Sequence, residues 1–363
     1  MKRVYNFSPG PSMLPAEVLE QVKKDLPVWN GLGYSAMEIS HRSAEFSALL
    51  DQIESDLRSL MRIPDDYSVL LVQGGATLQF SLLPMNLLHG RETADYLTTG
   101  SWSSKAFKEA RKANSNVHEA ATGAQHNFMS LPERDEWQLS PEAVFLHYVH
   151  NETIAGLMFP SIPDVDVPVI SDLSSCILSL DMDVSRMGAF YAGVQKNMGP
   201  AGLAVLVMAP ELLERCRDNL PDMLSYRAYA RNRSILNTPP TFTCYVLGLV
   251  LRWVSERGGV KVMHRNTVAK SDLLYGLIDQ SELYANPIQK SARSITNIAF
   301  TLADPALDEK FLQQAERRSL VSLKGHRSVG GMRASLYNGM PMEGVQALHD
   351  FMLEFERDWQ KGR

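Results

Sequence analysis

Short apolar runs recur along the first two thirds of this chain, most of them separated by stretches with helical spacing. That alternation leaves few folds open. Val69-Leu70-Leu71-Val72 ends near Gly74-Gly75 and is too short for a helix, so it reads as a buried strand. Residues 93–97, 117–121, 143–148, 167–171, 189–192 and 204–208 repeat the pattern. Residues 77–88, with a bend expected at Pro84, and residues 101–113 have helical length and spacing. Strands that are apolar on both faces and joined through helices belong in a mostly parallel sheet covered on both sides, which makes the fold class α/β.

The remaining segments arrange themselves around that sheet. Residues 1–15 are rich in Pro and Gly and read as an extended N-terminal arm. Helices are expected over 16–24 and 43–61, the second with Phe46, Leu49, Leu50, Ile53, Leu57 and Leu60 at helical spacing. Residues 218–241 show no clear period and read as a long functional loop. A helix over 241–257 meets a break at Gly258-Gly259, and a long helix follows over 260–279. Strands at 298–302 and 331–337 and helices at 307–318 and 342–357 make a smaller C-terminal α/β unit. The expected division is an arm (1–15), a large domain (16–257) and a small domain (258–363), which suits 363 residues.

A net charge of −5 provides no global field for nucleic acid or an anionic membrane, so any bound anion needs local clusters. No stretch is long and apolar enough to span a bilayer, and the N-terminus lacks the apolar run of a signal peptide. Cys176, Cys216 and Cys244 are scattered without metal-ligand spacing; no metal site is expected, and the sparse count fits a reducing cytoplasm.

Four features carry chemistry. Gly74-Gly75-Ala76-Thr77 joins a strand to a helix, where small residues and free N–H groups suit a phosphate; taken alone, the motif is read more readily as a plain turn with Thr77 as N-cap. Asp172 closes an apolar strand, where open α/β sheets bind ligands. It can keep a pyridine nitrogen protonated, or can be only a turn residue. Lys196 lies between a small-residue strand and Gly199-Pro200-Ala201-Gly202, the rigid and crowded setting that a covalent lysine needs. Trp102 opens a helix after a strand end, where an indole can stack on a cofactor ring or serve simply as core. His41-Arg42, His326-Arg327 and Arg333 are candidate grips for carboxylate or phosphate.

Asn6-Phe7-Ser8-Pro9-Gly10-Pro11, Trp29-Asn30-Gly31-Leu32-Gly33, Met37-Glu38-Ile39-Ser40-His41-Arg42 (read as a strand-like lead into the His-Arg pair), Asn151-Glu152-Thr153-Ile154, Ala192-Gly193-Val194-Gln195-Lys196-Asn197, Asn237-Thr238-Pro239-Pro240-Thr241 and Lys324-Gly325-His326-Arg327 together carry a resemblance. With them the chain resembles the phosphoserine aminotransferase family, within the class V aminotransferases of the pyridoxal-phosphate (PLP) fold type I. The resemblance implies a homodimer with active sites shared between subunits. It implies reversible transamination between O-phospho-L-serine with 2-oxoglutarate and 3-phosphohydroxypyruvate with L-glutamate in serine biosynthesis. 4-Phosphohydroxy-L-threonine of pyridoxine biosynthesis is an implied second substrate. It makes Lys196 the Schiff-base lysine, sets Asp172 against the ring nitrogen, stacks Trp102 on the ring and brings Thr153 to the phenolic oxygen. Ala76, Thr77 and Gln195 would hold the cofactor phosphate, with Asn237 and Thr238 from the other subunit. Ser8, His41, Arg42, His326, Arg327 and Arg333 would recognise substrate. The chain departs from some members in carrying Thr77 where they have Arg, and in having His150 before Asn151. A cysteine desulfurase of the same class would need an exposed reactive cysteine, and none of the three is in such a setting. A silent cofactor-binding protein would not need both Lys196 and Asp172.

Overall fold

A computed structural model describes residues 3–114 and 116–362. Its centre is a seven-stranded sheet of β1 (Ser68–Gly74), β2 (Ala94–Thr98), β3 (Val117–Thr122), β4 (Leu146–Val149), β5 (Val169–Asp172), β6 (Ala189–Gly193) and β7 (Gly202–Met208). The spatial order is β1-β7-β6-β5-β4-β2-β3. Neighbours from β6 to β3 run parallel, while β7 is antiparallel to both β1 and β6. The carboxyl ends of β1, β5 and β6 therefore share one edge with the start of β7, where Gly202 pairs with Gly74 and Ala204 with Gly193.

Both faces of the sheet are covered, and the period-2 alternation of the strands shows how. In β7, Leu203, Val205 and Val207 enter one apolar cluster while Leu206 and Met208 enter the other. Helices α1 (Ala16–Asp25), α2 (Ala44–Met61), α5 (Thr241–Glu256) and α6 (Gly259–Ile278) contribute Val18, Phe46, Ile53, Val250 and Met263 to the first cluster. Helices α3 (Ala76–Leu87) and α4 (Ser101–Ala113) contribute Phe80, Leu83, Ala106 and Ala110 to the second. Each fully buried Leu, Val or Phe stabilises by about 1.5–3 kcal/mol, so this double cover fixes the sheet edge that carries the chemistry. α3 continues through Pro84, which falls in its last turns, and the Leu88 amide still donates to the Pro84 carbonyl at 3.1 Å.

The C-terminal part builds its own three-stranded antiparallel sheet from Tyr284–Ala285, Asn297–Leu302 and Met332–Ser335. Its core includes Phe300, Phe311, Phe351 and Phe355, and Phe7 of the arm is inserted among them. The arm is thus anchored, with Tyr5–Asn6 pairing parallel to Leu320–Val321. Gly258 and Gly259 both adopt positive φ (+92° and +73°) at the α5–α6 junction, a backbone that glycine alone takes without strain.

Three expectations are corrected. Residues 37–40 form no strand: the Glu38 amide closes a turn onto the Ser35 carbonyl at 3.0 Å. The 218–241 segment is not wholly loop, because Ser225 caps a short helix, Tyr226–Arg231, by accepting from the Ala228 amide. The strand expected from residue 143 starts at Leu146, because Ala143 closes a turn onto Ser140.

Candidate active site

Lys196 lies on a single helical turn, Val194–Asn197, that begins where β6 ends. The turn is pinned on two sides. Asn197 donates to the Ile177 carbonyl at 2.6 Å and accepts from the Asn338 amide at 2.9 Å, and the Ser12 hydroxyl of the arm donates to the Lys196 carbonyl. A Cβ at Gly193 would stand 2.6 Å from Gln195 Oε1, so the bare backbone there leaves room for the Gln195 side-chain amide. The Lys196 amine donates to Thr153 Oγ1 at 2.6 Å and lies 5.4 Å from the centre of the Trp102 ring. Burial lowers its pKa, opposed by the charges of Asp172 and Glu152, so the neutral, nucleophilic amine is favoured over that of a surface lysine.

Asp172 ends β5 and is 6% exposed. Its Oδ1 accepts from the Ser174 amide at 2.8 Å, while Ser174 Oγ accepts from the Gly193 amide at 2.9 Å. One serine thereby ties the strand end bearing the acid to the strand end leading to the lysine. Burial raises the pKa of Asp172, with Lys196 and Ser174 pulling the other way.

These groups line a cavity of about 690 Å³ together with Ala76, Thr77, Trp102, Thr153, Gln195, His326 and Arg333. At one end Gly74 and Gly75 lead into α3. Gly74 has φ +108°, and nothing lies within 4 Å of where a Gly75 Cβ would stand. Bare backbone and the unpaired first amides of a helix make a cradle for a phosphate. Arg333, in the strand Met332–Ser335, donates to the Thr153 carbonyl at 3.3 Å, and its buried Nε has no partner among the described residues. Trp102 Nε1 is likewise buried without a partner among the described residues. The residues present fit a flat pyridine bearing a phosphate, a ring nitrogen and an aldehyde: an anion cradle, an indole, a carboxylate, a hydroxyl and an amine face one space.

Not every residue singled out in the sequence reaches it. Ser8 lies beside the cavity-lining Pro9 but is not itself in the wall, and Arg327 is exposed next to His326. His41 and Arg42 lie just before α2, and Asn237 and Thr238 are exposed on the loop before α5; none lines the cavity within one chain. Glu152, Ser103 and Ser174 carry hydrogen bonds at the site that sequence reasoning did not assign. Glu152 lay inside a quoted motif, but only the fold reveals that it faces α4.

A lysine and an acid at adjacent strand ends of a mostly parallel sheet, below an indole and beside a glycine cradle, define a PLP-dependent aminotransferase of fold type I. Residues 4–348 match the family model for aminotransferase class-V. A phosphoserine aminotransferase from Acinetobacter baylyi is 52% identical over 354 residues, spanning 97% of this chain and 98% of that one. The solved phosphoserine aminotransferase from Bacillus circulans subsp. alkalophilus is 43% identical, with a TM-score of 0.96 and 99% of both chains covered. A PLP-bound phosphoserine aminotransferase from Trichomonas vaginalis is 38% identical with a TM-score of 0.92, covering 96% of this chain and 99% of that one. The chain belongs to the phosphoserine aminotransferase family, and its cofactor is PLP.

Proposed function

We propose that this protein interconverts O-phospho-L-serine and 2-oxoglutarate with 3-phosphohydroxypyruvate and L-glutamate, as a cytoplasmic homodimer serving serine biosynthesis. The observation that carries the reading is the convergence of Lys196, Asp172 and Arg333 on one cavity in a chain whose relatives over its full length are phosphoserine aminotransferases. Bound PLP supplies the electron sink that lets the α-C–H bond of an amino acid break. Lys196 Nζ would hold the cofactor aldehyde at rest and, once displaced by substrate, act as the base that moves the α-proton. Asp172 would hold a proton at the ring nitrogen, and its buried setting makes that partnership strong. Ala76, Thr77 and Gln195 would hold the cofactor phosphate, Trp102 would cover the ring, and Thr153 would meet the phenolic oxygen. Arg333 would grip the α-carboxylate, whose oxygens would satisfy a guanidinium whose Nε has no partner among the described residues.

His326 and Arg327, with Ser8 and with His41 and Arg42 of the second subunit, would receive the distal phosphate or carboxylate. Asn237 and Thr238 would cross to the partner's cofactor phosphate. Residues 16–257 would form the large domain and 258–363 the small one, with 1–15 as an arm between them. The same phosphorylated substrate class includes 4-phosphohydroxy-L-threonine, which we propose as a second substrate for pyridoxine biosynthesis. The deciding assay is phosphoserine-dependent formation of glutamate from 2-oxoglutarate by the purified holoenzyme, with phosphohydroxythreonine as a second arm. Transamination of unphosphorylated serine or alanine at equal kcat/KM would overturn the substrate assignment.

A further inference from the structure

We infer that Glu152 is a positioning residue that sets the Trp102 indole over the cofactor cavity by capping α4 from a different strand. Glu152 is fully buried (0% exposed) on the two-residue strand Asn151–Glu152, which pairs with Leu157–Met158. Its Oε2 accepts from the Trp102 amide at 2.9 Å. Its Oε1 accepts from the Ser103 amide at 2.8 Å and from the Ser103 hydroxyl at 2.6 Å. Ser103 Oγ in turn accepts from the amides of Thr99 and Gly100 at 2.8 and 3.0 Å. The carboxylate thus collects two of the first amides of the helix on which Trp102 is the second residue, amides that no helix can satisfy internally, while the hydroxyl collects those of the two residues just before it. A negative charge at that end also opposes the positive end of the helix dipole.

The arrangement is built for this acid. Gly100 leaves the space that the carboxylate fills, for a Cβ there would lie 2.5 Å from Glu152 Cδ. The next residue, Thr153, takes the Lys196 amine on its hydroxyl and the Arg333 guanidinium on its carbonyl. Glu152-Thr153 therefore couples the ring-covering indole to the lysine and to the arginine within two residues. Burial raises the pKa of Glu152 against the pull of these hydrogen bonds, a desolvation cost that a neutral Ser cap would not carry.

The inference rests on the reading of Trp102 as the residue that covers the ring, and the test separates the two. PLP is titrated into the apo forms of the full-length wild type, Glu152→Gln, Trp102→Ala and the double variant, and its dissociation constant and induced circular dichroism are measured. A glutamine can present only one oxygen, so its amide must face one of the two N–H donors. We expect each single variant to weaken PLP about tenfold and the double variant to match Trp102→Ala within about twofold, because Glu152 acts through Trp102. If Glu152→Gln costs the same in both backgrounds, or nothing, the inference is overturned while the role of Trp102 stands. If Trp102→Ala leaves PLP affinity unchanged, both fall. Should Glu152→Gln fail to fold, Ser103→Ala removes one leg of the same cap. It must weaken PLP in the Trp102 background and not in the Trp102→Ala background.

Discussion

Replacing Lys270 by Met tests how the C-terminal part holds the lysine turn. Lys270 lies in α6, is 3% exposed, and donates to the carbonyls of Leu336, Tyr337 and Met340 at 2.9, 2.9 and 3.1 Å. Burial pushes its pKa down to about 7, and the three carbonyls compensate for removing an amine from water. Met keeps the length and fills the space, so the cavity contribution is small. The Tyr337 carbonyl retains a second donor, the Met340 amide at 2.9 Å, so the variant strands at most two acceptors. At about 1–3 kcal/mol for each the stranded carbonyls cost about 2–6 kcal/mol, and sparing the burial of the amine reduces this to a net loss of about 1–4 kcal/mol, still a large share of a typical total. The loss has a local consequence. Asn338 sits between these carbonyls, and its amide donates to Asn197 beside Lys196. The assay is urea unfolding of the apo-protein, which removes stabilisation by cofactor binding, together with hydrogen exchange of the Asn338 amide. A variant within about 0.5 kcal/mol of wild type with unchanged Asn338 exchange would refute the reasoning.

Two further outcomes follow from the same geometry. Asp172→Asn should lose most transamination yet give a more stable apo-protein at pH 8. The folded pKa of Asp172 is raised chiefly by burial, so the unfolded chain releases this proton first, and Asp172 lowers stability as pH rises through its folded pKa. The advantage of Asn should therefore shrink on acidification toward the ordinary carboxyl range, and a wild type equally stable at pH 8 would contradict it. Arg42→Ala and Arg327→Ala should reduce phosphoserine turnover about ten- to hundredfold with a smaller loss for glutamate, whereas Arg333→Ala should damage both half-reactions alike; equal losses in all three would refute the division.

Much of the sheet was legible because its strands obey short-range rules. Val69–Val72 and the run before Met208 are apolar on both faces and bounded by turn residues, and Gly74, Gly202 and Gly258 mark breaks that a backbone must make. Lys196 and Asp172 stood out for the same reason, as charged residues just beyond or at the end of strands that admit no charge elsewhere. What was not legible depends on contacts distant in sequence. The reversed direction of β7 leaves no trace in its apolar pattern, which is the same for parallel and antiparallel neighbours. The Tyr226–Arg231 helix is too short for a period and is held by a serine cap and by the Tyr226 hydroxyl on Gln79. Glu152 reads as an ordinary surface acid until α4 is placed 50 residues away in sequence.

The proposed shared site follows from charge. PLP and a phosphorylated amino acid bring two phosphates and a carboxylate to a cavity whose wall, among the described residues of one chain, holds the acid Asp172 and only Lys196, Arg333 and His326 as basic groups. Arg42 is exposed outside that wall, as are Asn237 and Thr238. A second copy that presents Arg42 to the cavity would restore the balance, and each site would then draw Lys196 from one subunit and Arg42 from the other. Complementation tests this directly. Lys196→Ala should be inactive with phosphoserine and Arg42→Ala should keep about a tenth of the activity or less, but a mixed dimer would have one site with both residues intact and one with neither. Random exchange of equal amounts should recover about a quarter of wild-type activity, because half the dimers are mixed and each carries one working site of two. No recovery after demonstrated subunit exchange would place Arg42 and Lys196 in the same chain's site, or show that Arg42 serves no site at all.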